Sequence, residues 1–595
     1  MAPVGVRAGT GACVIGGLLS LVSVFGDRPG GSARVGGGEL ALLAVGVLLV
    51  GAGTVVLARR RRSGRWRPPV AALGIALVVL ALTFDRFGGT GSSAFGWKQA
   101  LLAVLGLGVA AIALVERPRD ALWQARALPL PLVLVLAAGI VVRLGFMYAY
   151  RPGFFGFPDS VGYFAFANTE VFGTPYRPAG ESMFIYALRF VSDELSFTVL
   201  AHHVLGVVTG LLLYLSCRRS GAGPWLSAVP AGVVLLGGTQ IFLEHSTMSE
   251  PTFTALLAGG LYATVRARDG HHVRWLVLAG ALAGAAAIVR VVGVVVLVAL
   301  GVWVIFHYRE RSSERLRAAL ALAAPAVLVL IVYLVAHADV TGTWGLTRTQ
   351  GQTLYARTAT FANCSEFKPP AGTERLCETR PAIDRPPAVH YQFAPTSPGL
   401  KAFGAPPALP QADTPEDWAW KYDDKVGDFA RAAILGQPAA YSKTVAWGLV
   451  NFVTPTEVGP RSVSDWDTDD LVRNMRSSYE GSAQSFFPNY YATPAAFQRR
   501  SPGTLDAYGR HLRVEGPLTA VFVLLTLAGL TFGRGPLRRA TVPFALAAGA
   551  LMVATVAFLY YDVRYATPVF GFVAASAALG TGALIARRRG EPPVL

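Results

Sequence analysis

The feature that most constrains this chain is a succession of apolar runs, each about twenty residues long, separated by short segments rich in arginine. A run of about that length, wound as a helix, covers the ~30 Å of hydrocarbon in a bilayer. Such runs occur near 10–25, 40–57, 69–84, 99–115, 129–149, 197–216, 225–243, 251–265, 275–289, 291–306, 318–338, 515–532, 540–559 and 566–586. Only 15% of the 595 residues are charged, where a soluble domain carries roughly a quarter. The expectation is an all-α polytopic membrane protein of about fourteen helices.

In a soluble protein a formal charge of +17 and a pI near 9.9 would point to nucleic acid. Here the arginines cluster between apolar runs, where they set orientation in the bilayer. No nucleic-acid partner is expected. Arg59 to Arg62, Arg117/Arg119/Arg126, Arg218/Arg219, Arg266/Arg268/Arg274, Arg309/Arg311/Arg315/Arg317, Arg534/Arg538/Arg539 and Arg587 to Arg589 all fall on one side when the runs alternate direction. That side is cytoplasmic by the positive-inside rule, with both termini on it. The first run has only Arg7 before it and no clear cleavage site after it, so it reads as an uncleaved helix.

The runs divide the chain into an N-terminal four-helix module (1–127), a core (128–338) whose first extracytoplasmic loop is 150–196, a mixed extracytoplasmic domain (339–514) and a C-terminal group of three helices (515–595). The long segment is too aromatic for a linker. It holds Cys364 and Cys377, and outside the cytoplasm a disulfide between them is natural. Tyr441 to Phe452 reads as an interfacial helix or as an ordinary amphipathic helix of that domain.

Ionisable residues at helix ends are the candidates for chemistry, because charge at a bilayer is expensive. Four stations share the extracytoplasmic side. Asp159 lies shortly after a helix end, with Tyr163 beside it; it is either a base for a hydroxyl or the N-cap of a helix starting at Ser160. Glu244, His245 and Glu250 occupy one tight turn, and a divalent metal held by His245 with the two carboxylates is one alternative, although the spacing matches no recognised ligand pattern. Arg290 is a lone arginine between apolar runs, suited to a phosphate or to snorkelling. Arg564 sits among Tyr560, Tyr561, Asp562 and Tyr565, where an aromatic belt explains the tyrosines but not the arginine. Arg564 pairs with Asp562 or binds an anionic lipid head group. Two carboxylate and two arginine stations suit a reaction between a membrane-borne phosphate ester and a hydroxyl.

At these residues the chain resembles the GT-C superfamily of polyprenyl-phosphate-sugar-dependent membrane glycosyltransferases, nearest the protein mannosyltransferase and aminoarabinose transferase branch. The resemblance covers about residues 129–338 and the last two runs. It rests on Asp159 with Tyr163, on Ser249-Glu250-Pro251, on Ala287 to Arg290, and on Arg564-Tyr565 with Pro568. It implies inverting transfer from a polyprenyl-phosphate-linked sugar to a glycan, lipid or protein acceptor. Asp159 would be the base, with Glu250 positioning acceptor or donor sugar. Arg290 and Arg564 would hold the donor phosphate, and Tyr163, Glu244, His245 and Tyr565 would line the substrate cleft. Many relatives carry two adjacent acidic residues where this chain has Asp159-Ser160. No cofactor is required by the resemblance, and a divalent metal stays open. The main rival is a membrane transporter or lipid flippase, although transporters usually place their sites near the midplane.

Overall fold

The computed structural model describes residues 129–589, apart from 152, 154–157, 169, 190, 193–194, 269–271, 309–311, 407–419, 455–497, 500–507, 509–511 and 513. The four runs expected before residue 127 lie outside the described residues. The chain divides into two compact units, and the larger, 131–186, 198–488 and 493–595, holds every site residue named above.

The membrane part is helical because a backbone in hydrocarbon must satisfy its own hydrogen bonds. Helix α1 is Leu130–Ala149, followed by α2 (Pro158–Asn168) and α3 (Gly180–Arg189) in the first loop. Then come α4 (Leu195–Arg219), α5 (Pro224–Leu236), α6 (Gly238–His245), α7 (Ser249–Ala267), α8 (His272–Val289), α9 (Gly293–His307) and α10 (Ser312–Thr341). Among the described residues, α1, α4, α10 and two C-terminal helices are long and apolar enough to cross a membrane. The pair α5 and α6, bent by 47°, makes a sixth span if taken as one broken helix. Helices α8 and α9 and the first C-terminal helix are apolar but shorter. The chain is a multi-pass membrane protein, and fourteen stays an expectation.

Between α10 and the C-terminal helices, the described part of the loop domain is helical: α11 (Gln350–Ala359), α12 (Ala388–Phe393), α13 (Pro398–Phe403), α14 (Lys425–Gly436) and α15 (Pro438–Asn451). Its core is Tyr355, Leu376, Tyr391, Val426 and Phe429. Asp423 accepts the Gly351 and Gln352 amides at 2.9 and 2.8 Å, satisfying two orphan donors at the start of α11. Tyr150–Arg151 pairs antiparallel with Gln498–Arg499. The helix expected at 441–452 is α15, which lays Gly448 against Val556 and donates the Tyr441 hydroxyl to the Ala557 carbonyl at 3.1 Å.

Cys364 and Cys377 form the expected disulfide, closing a loop with a sequence separation of 13. Opening that loop by replacing both cysteines with serine should cost about 2–4 kcal/mol of loop-domain stability. The change is read as faster proteolysis of the full chain within 350–450.

The C-terminal helices are α16 (Pro517–Phe532), α17 (Gly535–Phe558) and α18 (Val563–Arg588). Helix α18 is central and buried along most of its length. It can be central because it is rich in Ala and Gly. A Cβ on Gly529 of α16 would overlap the Gly580 backbone, the close approach that small residues permit between membrane helices. Packing around α18 brings its first turn, with Arg564, beside α2 and α7.

Candidate active site

Asp159 stands in the first turn of α2, which starts on Pro158. It does not serve as the N-cap. Its Oδ1 accepts from Arg177 Nη2 and its Oδ2 from Arg564 Nη2. Burial alone would raise its pKa, but Arg177 and Arg564 outweigh that and hold the carboxyl at about 2.

Arg564 is the junction of the site. Asp562 accepts the Arg564 backbone amide at 2.8 Å and so caps α18. This leaves the guanidinium to bridge two other carboxylates: Nη2 meets Asp159, and Nε reaches Glu250 Oε1 at 2.8 Å. Glu250, in the first turn of α7, also accepts from Arg290 Nη1 at 2.6 Å. Arg290 sits where α8 has ended and α9 has not begun, so its side chain is free to turn back to Glu250 and to Ser249 Oγ at 3.1 Å. The Tyr163 hydroxyl donates to the same Ser249 oxygen at 3.1 Å. The Tyr565 ring lies under both guanidiniums, 5.1 Å from Arg290 and 4.7 Å from Arg564. Asp159, Tyr163, Glu250, Arg290, Arg564 and Tyr565 thus form one cluster, assembled from α2, α7, the α8/α9 break and α18.

Sequence reasoning missed two members. Arg177 was legible in principle, being an arginine in the first loop that the positive-inside rule does not explain if that loop is extracytoplasmic as expected. Ser160 is the other. Its hydroxyl donates to the Ser246 carbonyl at 2.7 Å and lies 2.9 Å from Met248 Sδ, tying the Asp159 helix to the turn before Glu250. Thr247 takes φ 51 in that turn, a conformation that non-glycine residues seldom adopt.

Glu244 and His245, expected in the substrate cleft, belong to a second and fully buried network. Arg143 of α1 grips Glu244 with Nε and Nη2, both at 2.8 Å. Gln240 adds a third bond at 3.0 Å. The same guanidinium donates to the Leu235 and Val234 carbonyls at 2.7 and 3.4 Å. Those carbonyls end α5 where the chain breaks at Gly237, so Arg143 satisfies acceptors that the broken helix abandons. His203 Nδ1 lies 2.8 Å from Glu244 Oε2, His203 Nε2 lies 3.1 Å from His245 Nδ1, and His245 Nε2 lies 2.9 Å from the Tyr150 carbonyl. The arrangement has a physical reason: an arginine in an apolar helix must find a carboxylate, and Glu244 is within reach. Among the described residues no group of three or more His, Cys, Asp or Glu is arranged to hold a metal ion.

Helix α4 passes so close to this network that a Cβ on Gly206 would overlap Glu244 Oε1 and lie 2.8 Å from Arg143 Nη2. Gly206→Ala is expected to cost about 1–3 kcal/mol by overpacking. It would show as a lower monodisperse fraction on size exclusion in detergent.

A family model described as dolichyl-phosphate-mannose-protein mannosyltransferase matches residues 183–337, a span that includes Glu250 and Arg290 but neither Asp159 nor Arg564. Among solved structures, the S. cerevisiae protein O-mannosyltransferase Pmt1-Pmt2 complex bound to the sugar donor is similar at 17% identity and a TM-score of 0.29, over 35% of this chain and 32% of that one. The chain spans about a third of that relative. No curated protein matches the chain. Over residues 183–337, which hold Glu250 and Arg290, the chain is similar to the dolichyl-phosphate-mannose-protein mannosyltransferase family.

Proposed function

We propose that this protein moves a sugar from a polyprenyl-phosphate donor to an acceptor hydroxyl, at the extracytoplasmic end of the bundle and with inversion. The observation that carries the reading is the bridging of Asp159 and Glu250 by Arg564, with Arg177 and Arg290 on the flanks. Three guanidiniums against two carboxylates leave one positive charge in the cluster. That surplus complements a sugar phosphodiester, which carries one negative charge. A diphosphate-linked donor would bring a second charge with no counterpart.

In the reaction Asp159 accepts the proton of the acceptor hydroxyl as its oxygen attacks C1 of the sugar. The C1–O bond to phosphate breaks with its electron pair going to the phosphate, and polyprenyl phosphate departs. No acid is needed, since phosphate is already a good leaving group. Arg290 and Arg564, turned from Glu250 and Asp159 toward the phosphate, stabilise the charge that grows there. Competition by phosphate for Arg564 also frees Asp159 from one of its two counter-charges, so the base strengthens when donor is bound. Glu250 Oε2 is buried and has no hydrogen-bond partner among the described residues, leaving one acceptor for a sugar hydroxyl.

The test uses the purified full chain in proteoliposomes with radiolabelled polyprenyl-phosphate mannose and cell-envelope glycan as acceptor. The expected result is label leaving the lipid phase in step with released polyprenyl phosphate. Label that crosses the bilayer still attached to lipid would support the flippase reading instead.

A further inference from the structure

The first loop carries Arg177 on a stretch, 171–179, with no helix of its own, so its backbone groups need partners from elsewhere. The loop domain supplies them. The Pro175 carbonyl accepts both the Arg348 amide at 3.0 Å and the Thr349 hydroxyl at 2.9 Å, and the Gly173 carbonyl accepts Arg348 Nη2 at 3.1 Å. Arg348 and Thr349 are buried. They immediately precede α11, whose first amides are held by Asp423, so they are fixed to the core of that domain. On the opposite side, a Cβ on Gly173 would overlap the Phe166 ring of α2, the helix that carries Asp159. Further along, the Ala179 amide donates to the Tyr333 hydroxyl at 2.9 Å, and Phe172 packs on Tyr333 and His337 with centroids 5.5 and 5.8 Å away.

We infer that the loop domain acts on the reaction as a clamp: Arg348 and Thr349 are positioning residues that hold the Gly173–Pro175 segment, and with it Arg177, against Asp159. The inference rests on Asp159 being the base. Pro175 is two residues from Arg177, a lever of about 7 Å, so release of the clamp moves the guanidinium directly. A guanidinium that moves away from a carboxylate changes how tightly that carboxylate binds a proton. The domain thereby has a function that its sequence did not disclose: it sets the proton affinity of a group it does not touch.

The experiment compares Arg348→Met/Thr349→Val, which removes both side-chain donors, with Asp159→Asn and Arg177→Gln, as full chains in proteoliposomes with polyprenyl-phosphate mannose. The clamp variant should lose about tenfold in kcat from misplacement. Donor KM should stay within about twofold, because the phosphate arginines are untouched. The acid limb of kcat/KM should move to higher pH, as it also should in Arg177→Gln. Arg348→Lys, which keeps a donor for the Gly173 carbonyl, should restore most of the rate. Hydrogen exchange over 171–179 in the folded fraction should be faster in the clamp variant. Wild-type kcat, pH profile and exchange in that variant, with Asp159→Asn inactive, would overturn the clamp alone. Full activity of Asp159→Asn would overturn the assignment of the base, and exchange would then decide the clamp by itself.

Discussion

Arg564→Met should reduce transfer by roughly 10²–10³-fold or more, the scale seen when one preorganised donor to a developing oxyanion is removed. The loss is expected to exceed that of Arg290→Met. Arg564 alone touches both carboxylates, whereas Arg290 reaches Glu250 and Ser249. Arg564→Lys should recover little, because a single ammonium cannot span Asp159 and Glu250 as the guanidinium fork does. Without Arg564, Asp159 keeps only Arg177, so its proton affinity should rise and the acid limb of kcat/KM should shift upward. The resting enzyme sets the opposite condition. With a folded-state pKa of about 2 against an ordinary 3.8, the Asp159 ion pairs stabilise the fold fully above the ordinary value and lose that effect as pH falls through about 2. Steady-state kinetics of the three variants across pH 4–9 reads the rate losses and the upward shift of the acid limb, and acid unfolding of the wild-type protein below pH 4 reads the ion pairs.

The second large effect is on folding. Arg143→Met should cost about 3–5 kcal/mol, because it strands the Glu244 carboxylate in the protein interior. It also strips partners from the Val234 and Leu235 carbonyls at the α5/α6 break. Glu244→Gln should also destabilise, since the amide oxygen still accepts one bond from Arg143 but the buried guanidinium loses its counter-charge. Thermal unfolding in detergent, followed by tryptophan fluorescence, ranks the two. Donor binding should survive in whatever fraction folds. A normal melting temperature for Arg143→Met would mean that the network does not hold the break.

The helices were legible because twenty apolar residues leave a backbone few choices in a bilayer. The cluster was legible in part for the same reason: Arg290 and Arg564 have no ordinary excuse for standing at helix ends on the side expected to be extracytoplasmic, and Asp159 and Glu250 are the carboxylates that explain them. Glu244 and Glu250 could not be told apart from spacing, since both flank one turn. Which arginine each one meets depends on the 47° break after α5, a tertiary feature marked in sequence only by Gly237-Gly238. Arg143 was hidden inside an apolar run and read as span. Arg177 drew no notice because its partner, Asp159, is 18 residues away across an irregular loop. The clamp at Arg348 and Thr349 was beyond sequence altogether, since it uses two backbone carbonyls as acceptors and side-chain patterns carry no record of those.

The most direct measurement is transfer by Asp159→Asn, in proteoliposomes, from polyprenyl-phosphate mannose. Asparagine keeps the shape and can still accept one hydrogen bond from an arginine, but it cannot take a proton from a hydroxyl. The account predicts a fall in kcat of roughly 10²–10⁴-fold, the usual contribution of a general base. Donor KM is expected to stay within about twofold, since Arg290 and Arg564 remain. Wild-type turnover by this variant, in protein with a normal melting temperature, would contradict the assignment of Asp159 as the base.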